Sequence, residues 1–196
     1  MTVSTLLAHV GIDVPRYVTV GGQIVLDPAV GATTSPLRIE PHRFHAGVDP
    51  ALVREKFDAA WWNTDLVARA ADENAMRTYF PNFTLHGSEQ DDYLWSGTFN
   101  TGRGSFSILV LSQVNHSLPS VIPMQKSLGR PEGRRLRRPP HRYDSGALCI
   151  ASINDWDPTK HTTATAVAWA AHWFAAYTEW RMRGYWPTDG YGAVAS

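Results

Sequence analysis

The residues best suited to chemistry gather between His141 and Pro158: His-Arg-Tyr-Asp-Ser-Gly-Ala-Leu-Cys-Ile-Ala-Ser-Ile-Asn-Asp-Trp-Asp-Pro. At the centre is Cys149, the only cysteine of the chain. Asp144-Ser145-Gly146 signals a turn before it, and apolar Leu148 and Ile150 flank the thiol. The pattern predicts a short extended segment with the sulfur near a loop. A thiolate attacks an activated acyl group, and the resulting thioester keeps its carbonyl reactive, so one sulfur can accept a group and pass it on. A reference thiol pKa of roughly 8.5 leaves a small thiolate fraction at neutral pH, which nearby cations would raise. The competing reading is a small buried hydrophobe, the usual state of a lone cysteine. The carrier reading requires a sulfur that an incoming acyl group can reach.

The rest of the chain must position that segment. With 196 residues, 43% of them apolar, and 8 Trp, 7 Tyr and 7 Phe, it can build a sizeable core, which excludes global disorder. Eighteen basic and eighteen acidic residues balance. One cysteine rules out an internal disulfide framework and fits a reducing cytoplasm. Met1–Val10 lacks a basic start and a long apolar run, so no secretory signal is expected. The most apolar window, Ala164–Tyr177, is interrupted by His172 and is too short to span a membrane.

Tyr17–Val20 and Gln23–Leu26 read as strands around Gly21-Gly22. His42 and His45 have a spacing that could hold a metal on a helix, but Pro41 and Gly47 argue against one, and no metal is expected. Asp49-Pro50 is a helix start. Val53, Phe57, Ala60 and Trp61 then keep helical spacing, predicting a helix over about 50–62 that extends through Leu66–Met76. Tyr93–Phe99 and Phe106–Leu111 alternate around the turn Asn100–Gly104, predicting an antiparallel hairpin. Val121-Ile122-Pro123 suits a loop or an edge strand.

Lys126 and six arginines stand against Glu132 alone in residues 126–142. Prolines and glycines there deny a regular element. The segment reads as a solvated loop, or as a dock for an acidic partner protein. Nucleic acid is disfavoured, because no aromatics interleave with the arginines. Thr162–Arg183 reads as a helix with Ala166, Ala170, Trp173, Tyr177 and Trp180 on one stripe, His172 at its surface or in an interface, and Gly184 as its stop. Thr188–Ser196 reads as a frayed tail.

His141, the Gly-Ala-Leu-Cys-Ile run, Trp156-Asp157-Pro158 and the helix behind them resemble the ubiquitin-conjugating enzymes, above all their bacterial relatives found beside ubiquitin-like or antiviral signalling genes. The order of elements over about residues 50–185 agrees with that family, but the match is specific only around Cys149. The resemblance implies an α/β (α+β) conjugating fold, a four-stranded antiparallel meander between an N-terminal and a C-terminal helix. The domain would cover 49–187, with 1–48 as an added extension and 188–196 as a tail. It implies a transferase of the cytoplasm, possessing no cofactor, that takes a ubiquitin-like modifier as a thioester on Cys149. A separate activating enzyme would supply the modifier, since this chain has no glycine-rich nucleotide motif. A target amine or hydroxyl would receive it. The family's upstream Asn, assigned to the oxyanion, is missing. That role falls to His141 or Asn154, unless His141 only braces the loop. Asp155 and Asp157 could orient or deprotonate an incoming amine, while Asp155 could instead cap a turn. Two other classes remain open: a noncatalytic adaptor of the same fold, and a papain-type hydrolase.

Overall fold

The computed structural model describes residues 14–29, 36–44, 49–50, 59–87, 92–125 and 127–192. Its centre is a sheet laid against one long helix. Strands β5 (Thr84–His86), β6 (Leu94–Asn100), β7 (Ser105–Leu111) and β8 (Ser120–Pro123) form an antiparallel meander in chain order. The expected hairpin is β6–β7, with Trp95 opposite Val110 and Phe99 opposite Phe106. Its alternation puts Trp95, Phe99, Phe106, Ile108 and Val110 into the core. On the other face Thr98 and Ser107 share a hydroxyl hydrogen bond of 2.7 Å. Pro123 ends β8 at the sheet edge, where a missing N–H costs least. Gly97 is required by packing: a Cβ there would lie 2.4 Å from the Phe83 ring.

Helix α1 (Trp61–Thr64) and helix α2 (Leu66–Tyr79) precede the sheet. The helix start at Asp49-Pro50, with Val53 and Phe57, lies mainly outside the described residues. The expected run does not pass unbroken through 62, because Ala60 is extended (φ −77°, ψ 145°) and a helix starts at Trp61. Asp65 separates α1 from α2, and its side chain accepts from Ala68 N at 2.9 Å.

Helix α3 (Thr163–Arg183) lies where the sequence places it. Thr162 and Thr165 cap its start reciprocally, and Gly184 ends it at φ 85°. The single apolar stripe is a misreading, since from Thr163 to Trp180 nearly every side chain is buried. One side of α3 meets the sheet, where Phe174 stacks on Phe106 with ring centroids 4.2 Å apart. The opposite side meets the N-terminal strands β1 (Tyr17–Val18), β2 (Ile24–Val25), β3 (Leu37–Arg38) and β4 (His42–Arg43). Alanines let these layers approach from both sides. The start of α3 is also held from α2: buried Asp72 accepts from Thr163 N at 2.5 Å and from the Tyr93 hydroxyl at 3.0 Å.

One further expectation is narrowed and two change. His172 is 4% exposed, so of its two readings the interface holds, where it meets His42 of the N-terminal strands. Residues 188–192 are not frayed: β11 (Gly190–Tyr191) pairs with β4 and buries Tyr191. The basic run forms a hairpin after all, β9 (Arg130–Glu132) and β10 (Arg135–Arg137), turning at Gly133 with φ 60°. Among the described residues no helix is long and apolar enough to cross a membrane.

Candidate functional site

Cys149 lies in a segment threaded between the sheet edge and α3. Leu148 forms bridges to Val121 on one side and to Arg142 on the other. Pairing on both sides buries the whole run Ala147–Ala151. Cys149 itself is 1% exposed. The expected sulfur at an open lip is therefore corrected: the thiol is covered in this conformation. The turn before it forms as predicted, with Gly146 N donating to Tyr143 O at 3.0 Å and Gly146 at φ 94°. Asp49 reaches this turn and accepts a short hydrogen bond from the Ser145 hydroxyl. Tyr143 shares a hydrogen bond with the Cys149 side chain, and burial followed by that contact pushes its phenol up, so it stays protonated.

His141 is held in an uncommon backbone state, φ 53°. Its carbonyl explains why. It accepts from Cys149 N at 3.0 Å and from Trp173 Nε1 at 2.9 Å, so it joins the cysteine segment to α3. The ring then packs between Trp186, at 5.2 Å between centroids, and Phe44, at 5.9 Å. Its Nε2 lies 4.0 Å from Asp189 Oδ1. Asp189 is brought there by its own backbone, whose carbonyl accepts from Phe44 N at 2.7 Å, beside the β4–β11 pair.

These residues wall a cleft of about 520 Å³ lined by Arg43, Phe44, His141, Ser152, Asn154 and Asp189. Of the expected site residues, His141 and Asn154 therefore meet. Cys149 does not line the cleft, and is tied to it through the His141 carbonyl. Asp157 stands elsewhere. It accepts from Thr159 N at 3.0 Å and Thr159 Oγ1 at 2.7 Å and pairs with Lys160 at 2.8 Å, and these partners hold its carboxyl well below the usual carboxylate range. Asp155 has the capping role. Its Oδ2 accepts from Ser152 N at 3.2 Å and from Arg43 N at 2.7 Å, tying the 3₁₀ turn Ile153–Asp155 to β4.

Behind Phe44 lies a buried polar chain. His42 Nδ1 donates to Glu40 O at 2.8 Å, His172 Nδ1 donates to His42 Nε2 at 3.0 Å, and Arg16 donates to His172 Nε2 at 2.9 Å. The directions follow because a carbonyl only accepts and a guanidinium only donates. Both imidazoles are then neutral. Burial lowers His42 to about 4 and takes His172 well below its ordinary value. The His42–His45 pair considered for a metal is not such a site on His42's side, where the ring is committed to this chain; His45 lies outside the described residues.

Sequence reasoning missed Asp189, Tyr143, Phe44 and Trp186. Tyr143 lay in full view two residues from His141. The others had no local signal, since their place depends on β11 pairing with a strand far back in the chain.

No curated protein and no solved structure matches this chain. A family model for the Type II CBASS E2 protein matches residues 72–193, a span holding the meander, the cysteine segment, most of the cleft and α3. The chain belongs to that family, the E2-like proteins of bacterial antiviral CBASS systems.

Proposed function

We propose that this protein is a conjugating enzyme of ubiquitin type, with the helix, meander, cysteine segment and helix in the arrangement of that fold. It takes a ubiquitin-like modifier as a thioester on Cys149 from an activating enzyme and delivers it to an acceptor amine or hydroxyl on a target. The observation that carries this reading is the His141 carbonyl, which fastens the Cys149 main chain to the wall of an open polar cleft. His141 and Asn154 are the candidate donors to the oxyanion formed during transfer. Because Cys149 is 1% exposed, loading includes a step that uncovers the sulfur.

That burial also favours a second reading, an adaptor that binds a modifier without forming a bond to it. One experiment separates the two. The chain is mixed with activating enzyme, modifier and ATP, and the products are run with and without dithiothreitol. Carrier function gives a thiol-sensitive adduct that Cys149→Ala abolishes while the fold stays intact. An adaptor gives binding and no adduct. A papain-type hydrolase would cleave the thioester and accumulate no adduct. Its nucleophile context is also missing, since α3 begins fourteen residues after Cys149.

A further inference from the structure

Asp189 is the one carboxylate among the six described residues lining the cleft, and its side chain is 96% exposed. The two aspartates the sequence put forward are occupied: Asp155 binds two backbone amides, and Asp157 binds Thr159 and Lys160. The imidazole that Asp189 faces is held by aromatic neighbours and by its backbone. Phe44 and Trp186 confine the ring, and its backbone is held at φ 53° by the hydrogen bonds to its carbonyl. A left-handed backbone held at some cost in a non-glycine residue is characteristic of functional positions. In that position Nε2 lies 4.0 Å from the Asp189 oxygen.

We propose that Asp189 is a positioning residue for His141, and that the pair forms the acid–base site for an acceptor primary amine entering this cleft. The proposal rests on the carrier reading above. The amine nitrogen attacks the thioester carbonyl, forming the C–N bond, and the C–S bond breaks with Cys149 leaving as thiolate. The proton lost by the amine goes to His141 Nε2, and the Asp189 carboxylate stabilises the imidazolium before that proton passes to solvent. Several other charges lie near the ring among the described residues. Arg43 of β4 lines the same cleft, Arg142 turns its Nε to Gly146 O, Asp155 closes the 3₁₀ turn with its carboxylate on the Ser152 and Arg43 amides, and the neutral His42–His172 pair lies behind Phe44. Among the described residues Asp189 is the carboxylate that pairs with the His141 ring.

The test has two arms. In the first, NMR follows the His141 ring of the full chain, without partners, in wild type and Asp189→Asn. Loss of an exposed anion is expected to move the titration midpoint down by about half a pH unit. An unmoved midpoint overturns the pairing. In the second, single-turnover discharge of preloaded thioester to free lysine is followed against pH. Asp189→Asn is expected to slow discharge about threefold and to move its acidic limb to lower pH. Asp189→Glu is expected to restore most of the rate. Slowing with an unchanged acidic limb, or full-rate discharge, overturns the proposal. Failure of the wild type to form any thioester overturns the carrier reading and, with it, the amine site, while the first arm still reports on the pairing itself.

Discussion

His172 Nδ1 and His42 Nε2 lie 3.0 Å apart in the core, and the hydrogen they share fixes both rings as neutral. Protonating His42 sets two N–H groups against each other. Protonating His172 sets a new N–H against the Arg16 guanidinium. Arg16 is thereby joined to α3 and β4, so the N-terminal strands, the helix and the wall of the cleft share one polar chain.

Acid should therefore weaken the fold through these rings. The unfolded chain takes up protons below about 6.5, while native His42 resists until about 4. The stability from keeping His42 neutral is fully present above 6.5 and is lost as pH falls from 6.5 towards 4, by about 3 kcal/mol. Denaturant melts at pH 7, 5.5 and 4 measure this. His172→Gln keeps an acceptor for Arg16 and a donor for His42 without a titrating ring, so it should lose less on acidification. Equal losses in both proteins would remove His172 from the effect and leave it with His42 and the carboxylates.

Asp72 fastens the start of α3 from a neighbouring helix. Asp72→Ala leaves Thr163 N–H and the Tyr93 hydroxyl buried without their acceptor, which should cost about 1–3 kcal/mol. Asp72→Asn keeps an acceptor for Thr163 and should cost less. Chemical denaturation of both variants checks the order. Burial raises the Asp72 carboxyl above its ordinary value, so the neutral amide also escapes the desolvation that the anion bears.

The Tyr143 phenol touches the sulfur. A donor to a thiolate favours that charged form, and such a bond is worth about 1.5–3 kcal/mol. Tyr143→Phe should therefore slow alkylation of Cys149 at pH 7 by about tenfold and push the midpoint of its pH–rate curve upward. Iodoacetamide labelling followed by intact-mass measurement reads both. A faster reaction in the variant would mean that the hydroxyl shields the sulfur more than it activates it.

His141→Ala should slow discharge of the thioester more than loading, since the ring lies at the cleft while the backbone amide of Cys149 needs only the residue's carbonyl. Quenched-flow of the two half-reactions separates them, and unchanged rates in both would remove the ring from the mechanism.

Gly97→Ala places a methyl 2.4 Å from the Phe83 ring. The central hairpin cannot move away easily, so a loss of about 1–3 kcal/mol is expected from overpacking. A thermal melt of the variant measures it.

The elements legible in the sequence were those specified by neighbours. Alternation gave β6 and β7, and Thr162 with Gly184 marked the limits of α3 to within a residue. What escaped depends on partners distant in the chain. An alanine-rich helix looks one-sided until a second layer is known to cover it, and that layer is what buries His172. A two-residue strand such as β11 has too few side chains to announce itself, so Asp189 could not be found. The burial of Cys149 was obscured in the same way. Leu148 and Ile150 suggested one buried face, but bridges on both sides of Leu148 draw the residues between and beside them inward. His141 was found by its type, while its left-handed backbone depends on an indole thirty-two positions away.

That indole gives the cysteine segment a built-in reporter. Trp173 Nε1 and Cys149 N end on the same oxygen, so the peptide group after His141 cannot rotate to release the thiol without also changing what the tryptophan donates to. Freeing the sulfur for a visiting acyl group should thus leave a trace in the emission colour of the protein, legible without a label.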